Sequence, residues 1–273
     1  MSYLSRVRLK PEIRQSSQLA MLIAGNSYGM HRLLWDLFPG RDGQQRNFLF
    51  REEQDNEQQG GAVQPIYYLL SPDLPLQTSP LFQVETKPFD PQLEEGDHLA
   101  FKLRANPIVS RKTDGQKRSL SHDVVMDAQH QLLNQLCVSA GLTTGGSKGD
   151  KLALLRRLPD AQMRDLITPV LPEQSRGTLD DAVQFAISKA QVAWLTGERA
   201  ERAGYLIEQP ANLQVTGYTW KPLPEKGRKA GFSTLDYEGV LTVTDPERFI
   251  VMLNSGLGKA RAFGCGLMLT RRI

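Results

Sequence analysis

The sequence predicts an α+β fold made of two similar domains with a helical segment between them. Alternating, strand-like segments and one amphipathic helix occupy roughly the first 105 residues. Helical periodicity dominates from about 122 to 203, and strand-like segments return after it. Helices packed on one side of an antiparallel sheet would bury the apolar faces of both kinds of element.

The first domain begins with an alternating strand at residues 3–9. A helix follows from Ser27, with Asn26 or Ser27 as its cap and Pro39-Gly40 at its end. Its apolar residues have the spacing of one helix face: Met30, Leu33, Leu34, Leu37 and Phe38. Further strands are predicted at 46–52, 65–70 and 99–105, which gives a first domain of 1–118.

The middle of the chain is predicted to be helical at 122–139, 150–158 and 160–168, and we treat 119–180 as an insertion. Thr178 and Asp181 form a capping-box pattern that opens a helix to about residue 203. In the second domain, 181–273, strands are predicted at 205–208, 213–220 and 232–243. Asp245-Pro246 then starts a helix that runs to about Leu253, and a last strand is predicted at 267–270.

Composition indicates a globular protein with a sizeable core, since 40% of the 273 residues are hydrophobic and 23% are charged. Two cysteines, Cys137 and Cys265, are too few for a disulfide framework or a zinc ribbon. The sequence has neither a signal-peptide pattern nor an apolar run of membrane-spanning length, so we expect a cytoplasmic protein.

Cations are concentrated in three regions of this chain, whose net charge is +3. Residues 101–118 hold six Lys or Arg, including Arg104, against one acid, and residues 221–229 hold four against Glu225. Lys259 and Arg261 form the third group. Any one of these groups is most simply a solvated surface, but together they favour a polyanionic partner.

The third group lies in a glycine-rich loop with no acid after Glu247. The loop contains these glycines and cations: Gly256, Gly258, Lys259, Arg261, Gly264 and Gly266. Glycine lets backbone N–H groups approach a ligand closely, and neighbouring cations favour a phosphate as that ligand. Taken alone, the spacing is more typical of a tight connection than of a phosphate site.

His31 is the candidate proton carrier. Tyr28 lies three residues before it, so both side chains point to the same side near a helix N-terminus, where the helix dipole favours an anion. A phenol and an imidazole can then transfer protons, although packing of the pair beside Trp35 explains the spacing alone more simply. We interpret the remaining histidines as structural or solvated: His98, His122 and His130.

No pair of carboxylates has a metal-binding pattern, which favours a nuclease mechanism without a metal if the chain cleaves RNA. RNA carries its own nucleophile, the 2′-OH, which a base can deprotonate for attack on the adjacent phosphorus. An acid then protonates the departing 5′ oxygen, and each proton transfer contributes roughly 10²–10⁴-fold in rate.

Four segments together resemble one family. They are 28–39 (YGMHRLLWDLFP), 101–107 (FKLRANP), 237–243 (YEGVLTV) and 256–267 (GLGKARAFGCGL). In these segments the chain is similar to the CasE family, the CRISPR-associated endoribonucleases of the type I-E (Cascade) system, which cut the repeat hairpins of precursor CRISPR RNA. The resemblance covers roughly 1–118 and 190–273 and implies two ferredoxin-like, RRM-related domains in tandem.

The resemblance implies that His31 is the catalytic acid or base, that Tyr28 shares its site, and that the loop from Gly256 to Gly266 lies beside the scissile phosphate. The basic residues that match the family's groove-entering segment are Lys226, Arg228 and Lys229. The implied products carry a 2′,3′-cyclic phosphate or 3′-phosphate and a 5′-OH. The implied partners are the CRISPR repeat hairpin and other Cascade subunits, with no membrane, metal or small-molecule cofactor.

Two departures leave questions open. Residues 121–180 have no clear counterpart in compact family members, and they could dock another subunit, contact RNA or serve as a linker. The resemblance fixes no third catalytic residue, so Lys229, Lys259 and Arg261 all stay candidates for charge stabilisation.

Two further functions compete with cleavage. A hairpin-binding subunit without catalysis would keep the fold, but the predicted strands lack the aromatic signature of a generic RRM. A purely structural subunit would not bind RNA. The three basic groups argue against this function, because they favour binding to phosphates.

Overall fold

The computed structural model describes residues 1–14, 29–40, 47–55, 64–111, 119–172, 177–223, 227 and 230–273. The chain forms two compact units, one made of Met1–Asn106 and Glu198–Ile273 and the other of Pro107–Gly197. In the described ranges, no helix combines the length and apolarity needed to cross a membrane.

In these ranges the strands are β1 Ser2–Leu9, β2 Leu49–Asp55, β3 Gln64–Ser71, β4 Phe82–Phe89, β5 His98–Ala105, β6 Ile108–Arg111, β7 Leu120–Asp123, β8 Tyr205–Leu206, β9 Gln214–Pro222, β10 Gly231–Val243 and β11 Met268–Arg272. The α-helices are α1 Pro11–Arg14, α2 Gly29–Trp35, α3 Val124–Ser139, α4 Lys148–Leu155, α5 Asp160–Ile167, α6 Leu179–Leu195, α7 Glu198–Ala203 and α8 Pro246–Ser255.

The first sheet has four antiparallel strands in the order β2-β3-β1-β4, and α2 lies between β1 and β2 in the chain. This is the strand order of a ferredoxin-like domain, with the irregular segment 72–81 where a second helix would stand. The apolar face of α2 packs on the sheet, and Leu34 and Leu37 are fully buried beside Val7 and Leu69. The predicted amphipathic helix is therefore confirmed from Gly29 to Trp35, whereas its predicted continuation to Phe38 forms turns, and its predicted caps, Asn26 and Ser27, lie outside the described residues.

The second sheet has β11, β5 and β10 in that order, and both β8 and β9 pair with β10. With α8 between β10 and β11, the sheet repeats the ferredoxin-like order. The predicted class of tandem ferredoxin-like domains is thus confirmed. Leu267 packs with Leu49 and Leu70, so a small apolar cluster joins the two sheets within this unit.

One strand assignment from the sequence needs correction. The range predicted as the first domain, 1–118, includes β5, but β5 pairs with β10 and β11 of the second sheet. Alternation along a strand indicates which face is buried and does not indicate which strand lies beside it.

The second unit is mainly helical, and the predicted insertion of 119–180 lies inside it. Its core is formed by α3, α4, α5 and α6, with Leu133, Cys137 and Leu155 fully buried. The capping box at Thr178 and Asp181 is confirmed, since each side chain accepts a hydrogen bond from the other residue's backbone N–H. The three-part division itself stays a prediction.

The other differences from the prediction are local. The helix predicted to reach about residue 203 ends at Leu195, because Gly197 has a φ of 71°, which is outside the helical region, and α7 begins after it. The sequence analysis missed β4 and the short hairpin of β6 and β7.

Candidate active site

Helix α2 places His31 on its buried face, where only 2% of the residue is exposed. The imidazole stacks on the ring of Phe48 at 5.0 Å between centroids, with an interplanar angle of 23°. Phe50 and Trp35 lie further out, at 5.7 and 6.4 Å. Three aromatic rings thus fix the orientation of the histidine and limit its contact with water.

Burial changes the protonation of His31. Desolvation disfavours the charged imidazolium and lowers the pKa of His31 from 6.5 to about 4. The ring is therefore neutral at pH 7, which is the form that accepts a proton.

A cleft of about 350 Å³ opens beside His31. The residues around it come from α2, β2 and its approach, the end of α8 and the glycine-rich loop: His31, Asn47, Phe48, Leu49, Asn254, Ser255, Arg261 and Ala262. His31 and Arg261 are far apart in the sequence, and folding brings a proton acceptor and an exposed cation to one cleft.

The glycine-rich loop packs directly on β2. A β-carbon on Gly256 would lie 2.8 Å from Leu49 Cδ2, and one on Gly264 would lie 3.3 Å from Phe50 Cε2. Both glycines also have a φ near 80°, at 77° and 80°, where other residues are strained. The loop needs glycine at these positions because it approaches the strand that carries the rings around His31.

Backbone hydrogen bonds hold the loop on the second sheet. Leu257 N donates to Gly266 O at 2.9 Å, and Gly266 N donates to Arg104 O at 2.8 Å. Gly258 O accepts a hydrogen bond from Arg261 Nε at 3.2 Å, and Lys259 forms an antiparallel β-bridge with Asn106. The side chains of Lys259 and Arg261 are exposed, although only Arg261 lines the cleft.

Arg104, predicted to contact RNA, is held by Asp236. Its Nε and Nη2 donate to the two carboxylate oxygens at 2.9 and 3.0 Å. Desolvation alone would lower the pKa of Arg104, but the hydrogen bond and charge of Asp236 outweigh it and raise the pKa. Arg51, which is 2% exposed, lies 3.5 Å from the same carboxylate. That Arg104 contacts RNA stays a prediction. In such a contact its guanidinium would bind an RNA phosphate and the carboxylate of Asp236 at the same time.

The other predicted site residues fall into two groups. Gly258 and Gly266 belong to the glycine-rich loop, with φ of 87° and 92°. The following lie outside the described residues: Tyr28, Lys226, Arg228 and Lys229.

The sequence analysis missed several residues that shape the site. The ring wall of Phe48 and Phe50 could have been found, because both lie in the predicted strand 46–52 and, two residues apart, share one of its faces. Asn254 and Ser255 carry no motif that points to a cleft. Their place depends on how α8 meets the first sheet, where Asn254 Oδ1 accepts a hydrogen bond from Ser2 Oγ at 2.7 Å.

Comparison with known proteins gives a consistent result. A family model described as CRISPR associated protein matches residues 2–272. The chain is 28% identical over 246 residues to the CRISPR system Cascade subunit CasE of Escherichia coli, covering 88% of this chain and 89% of that protein. It is 26% identical over 245 residues to the CRISPR-associated endoribonuclease Cse3 of Thermus thermophilus, covering 88% and 80%.

Solved structures share the fold. The CRISPR endoribonuclease Cse3 bound to a 19-nucleotide RNA has a TM-score of 0.58 at 21% identity, with 99% of this chain and 98% of that chain covered. The CRISPR-associated protein Cas6e from Escherichia coli has a TM-score of 0.54 at 22% identity, with 99% and 100% covered.

Proposed function

Because the chain belongs to the CRISPR associated protein family, we propose that it is an endoribonuclease that cleaves CRISPR precursor RNA at its repeat hairpins. After cleavage it stays bound to the mature RNA as a subunit of Cascade. The observation that carries the proposal is the cleft shared by His31 and Arg261, since it offers a proton acceptor and a cation to one phosphodiester.

His31 acts as the general base in this proposal. Its neutral imidazole takes the proton of a 2′-OH, whose oxygen forms a bond to the adjacent phosphorus while the bond from phosphorus to the 5′ oxygen breaks. The departing oxygen receives a proton from a second group, for which Tyr28 is the candidate from the sequence. The products are a 2′,3′-cyclic phosphate and a 5′-OH.

Arg261 stabilises the charge that develops on the phosphoryl oxygens. A preorganised donor of this kind contributes about 3–4 kcal/mol to transition-state stabilisation. Within the part of the chain that the structure describes, no carboxylate pairs with its exposed side chain, whereas Asp236 already holds Arg104. We assign the charge-stabilising role to Arg261 ahead of Lys259, which does not line the cleft.

The reaction needs no metal in this proposal, because the substrate supplies the nucleophile and the protein supplies the base and the cation. The partners are the repeat hairpin and other Cascade subunits; the second is supported by the name of the similar Cascade subunit CasE of Escherichia coli. We place the protein in the cytoplasm, as the sequence predicts. No membrane or small-molecule cofactor takes part. The basic residues Lys226, Arg228 and Lys229 are proposed to contact the groove of the hairpin.

Single-turnover cleavage of the cognate repeat hairpin in EDTA tests the proposal, with the ends of the products mapped. We expect the wild type to cut and to leave a 5′-OH, and His31→Ala to bind the hairpin without cutting. His98→Ala is the matched control, since His98 is exposed at the start of β5 and belongs to no part of the cleft.

A competing function is favoured by one observation, since a buried imidazole stacked on Phe48 is also typical of a structural histidine. In that case the wild type would bind the hairpin and leave it intact. The protein would then anchor the hairpin in the complex without processing it.

A further inference from the structure

Strand β9 carries two large aromatic side chains that are left open to solvent. Tyr218 is 43% exposed and Trp220 is 50% exposed, although aromatic residues of this size are normally among the best buried. They are two residues apart, so they share one face of the strand. Neither belongs to the cleft beside His31.

Trp220 is exposed but held in place. A β-carbon built on Gly231 would lie 2.5 Å from Cζ2 and 2.6 Å from Cε2 of Trp220, so the indole lies against the backbone of β10. Only glycine leaves room for that approach. The ring is therefore preorganised, and stacking on it would cost little side-chain entropy.

The surroundings of Trp220 are polar and cationic. Strand β9 contains one cation, Lys221, and no acid, and its remaining exposed side chains include Gln214 and Thr219. A protein-binding patch would surround such an indole with further apolar groups. Tyr218 is the one further large apolar side chain exposed on this strand, and open aromatic faces next to a cation are typical of nucleobase binding.

We propose that Trp220 stacks on a nucleobase of the repeat RNA, at the end of the paired stem or in the unpaired nucleotides beside it. This proposal rests on the proposed function and extends it to β9, the strand that precedes the proposed groove-contacting residues Lys226, Arg228 and Lys229. Bases inside a stem have both faces covered by their neighbours, so only a terminal pair or an unpaired base can offer a free face. Lys221 neutralises the adjoining phosphate.

Equilibrium binding of the repeat RNA to full-length protein tests the stacking, with His31→Ala as background to prevent cleavage. Stacking on an aromatic side chain is worth about 1–3 kcal/mol per base, so Trp220→Ala should weaken affinity about 5- to 150-fold. Trp220→Phe should retain affinity within about threefold, because it keeps an aromatic face. Leu206→Ala is the control, as Leu206 is 49% exposed on the same sheet and should leave affinity unchanged.

Two readouts separate stacking from damage to the fold or loss of charge. The slope of log affinity against log salt should be the same for Trp220→Ala as for its background, since no phosphate contact is lost. Abasic substitutions along the RNA should weaken binding at one terminal or unpaired position, and that loss should vanish in Trp220→Ala.

Three results would overturn the proposal. Trp220→Ala could bind as tightly as its background, or its abasic profile could match that of its background. It could also bind RNA normally and fail to assemble with other Cascade subunits, which would make β9 a protein interface. Cleavage is measured in parallel with protein that keeps His31. A failure of the stacking proposal can then be distinguished from a failure of the proposed function. If the wild type neither bound nor cut the repeat RNA, both proposals would fail.

Discussion

The burial of His31 predicts an unusual pH dependence of cleavage. With the pKa of His31 lowered to about 4, about 0.1% of the imidazole is protonated at pH 7, compared with about a quarter for a histidine whose pKa is 6.5. If His31 is the base, the rate measured at subsaturating protein should stay flat from pH 8 down to about 5 and fall only below that. This condition reports the pKa values of the free protein.

The assay is single-turnover cleavage of the repeat hairpin across pH 4.5–8.5 at constant ionic strength. A midpoint near 6.5 would mean that the imidazole is solvated in solution and that the ring stack with Phe48 does not set its pKa. A rate that rises steadily as the pH falls would refute the assignment of His31 as base and make it the acid. At saturating protein the midpoint should lie above 4, because the bound phosphate favours the imidazolium.

The same shift affects stability, which must be measured alongside the rate. Since the folded state lowers the pKa of His31, the unfolded state binds more protons below 6.5, and stability falls as the pH drops from 6.5 towards 4. The loss is about 2 kcal/mol at pH 5 and about 3 kcal/mol once the pH is below both pKa values. Urea denaturation should show this slope in the wild type and a weaker one in His31→Ala.

Four other substitutions have distinct expected effects. Arg261→Ala should reduce the cleavage rate about 10²–10³-fold and leave thermal stability unchanged, because its side chain is exposed, whereas Lys259→Ala should reduce the rate much less. Asp236→Ala should lower the free energy of unfolding by about 1–3 kcal/mol, since Arg104 loses its bidentate partner and Arg51 is left paired with Glu53; a loss under about 0.5 kcal/mol in urea denaturation would contradict this. Gly256→Ala should lower the free energy of unfolding by about 1–3 kcal/mol in the same assay, because its φ of 77° and the contact with Leu49 both oppose a β-carbon. Unchanged stability would show that the loop can move away from β2.

Much of the fold could be predicted because its elements carry local signals. The helix face from Met30 to Phe38, the box of Thr178 and Asp181, and the Asp245-Pro246 start of α8 all act within one or two turns of chain. The partner of β5 could not be predicted in this way, because strand pairing is a property of the sheet. The break at Gly197 was missed because a single glycine within a helical pattern is often tolerated.

The sequence predicted which types of residue form the candidate site. It did not predict the burial of His31 or the ion pair of Arg104. Sequence spacing placed His31 beside Tyr28 near a helix N-terminus, whereas the structure buries it to 2% exposure among aromatic rings. Arg104 was predicted as an RNA contact from the local excess of cations. Asp236, which holds it, lies on β10, far from it in the sequence but opposite it in the register. A count of charges along the sequence cannot show that a carboxylate on a neighbouring strand forms an ion pair with one of the cations.

The pairing of β5 has a consequence for the order in which the chain folds during synthesis. This central strand finds its partner β10 about 130 residues later, and β11 later still. The helical unit of Pro107–Gly197 is made entirely in that interval, and its core contacts span at most about 60 residues. Contacts between residues that are close in sequence form faster than contacts between distant residues. We therefore expect the helical unit to fold on the ribosome before β10 and β11 have been synthesised and can pair with β5. The cleft beside His31 can form only after Arg261 has been made, about 230 residues later in the chain.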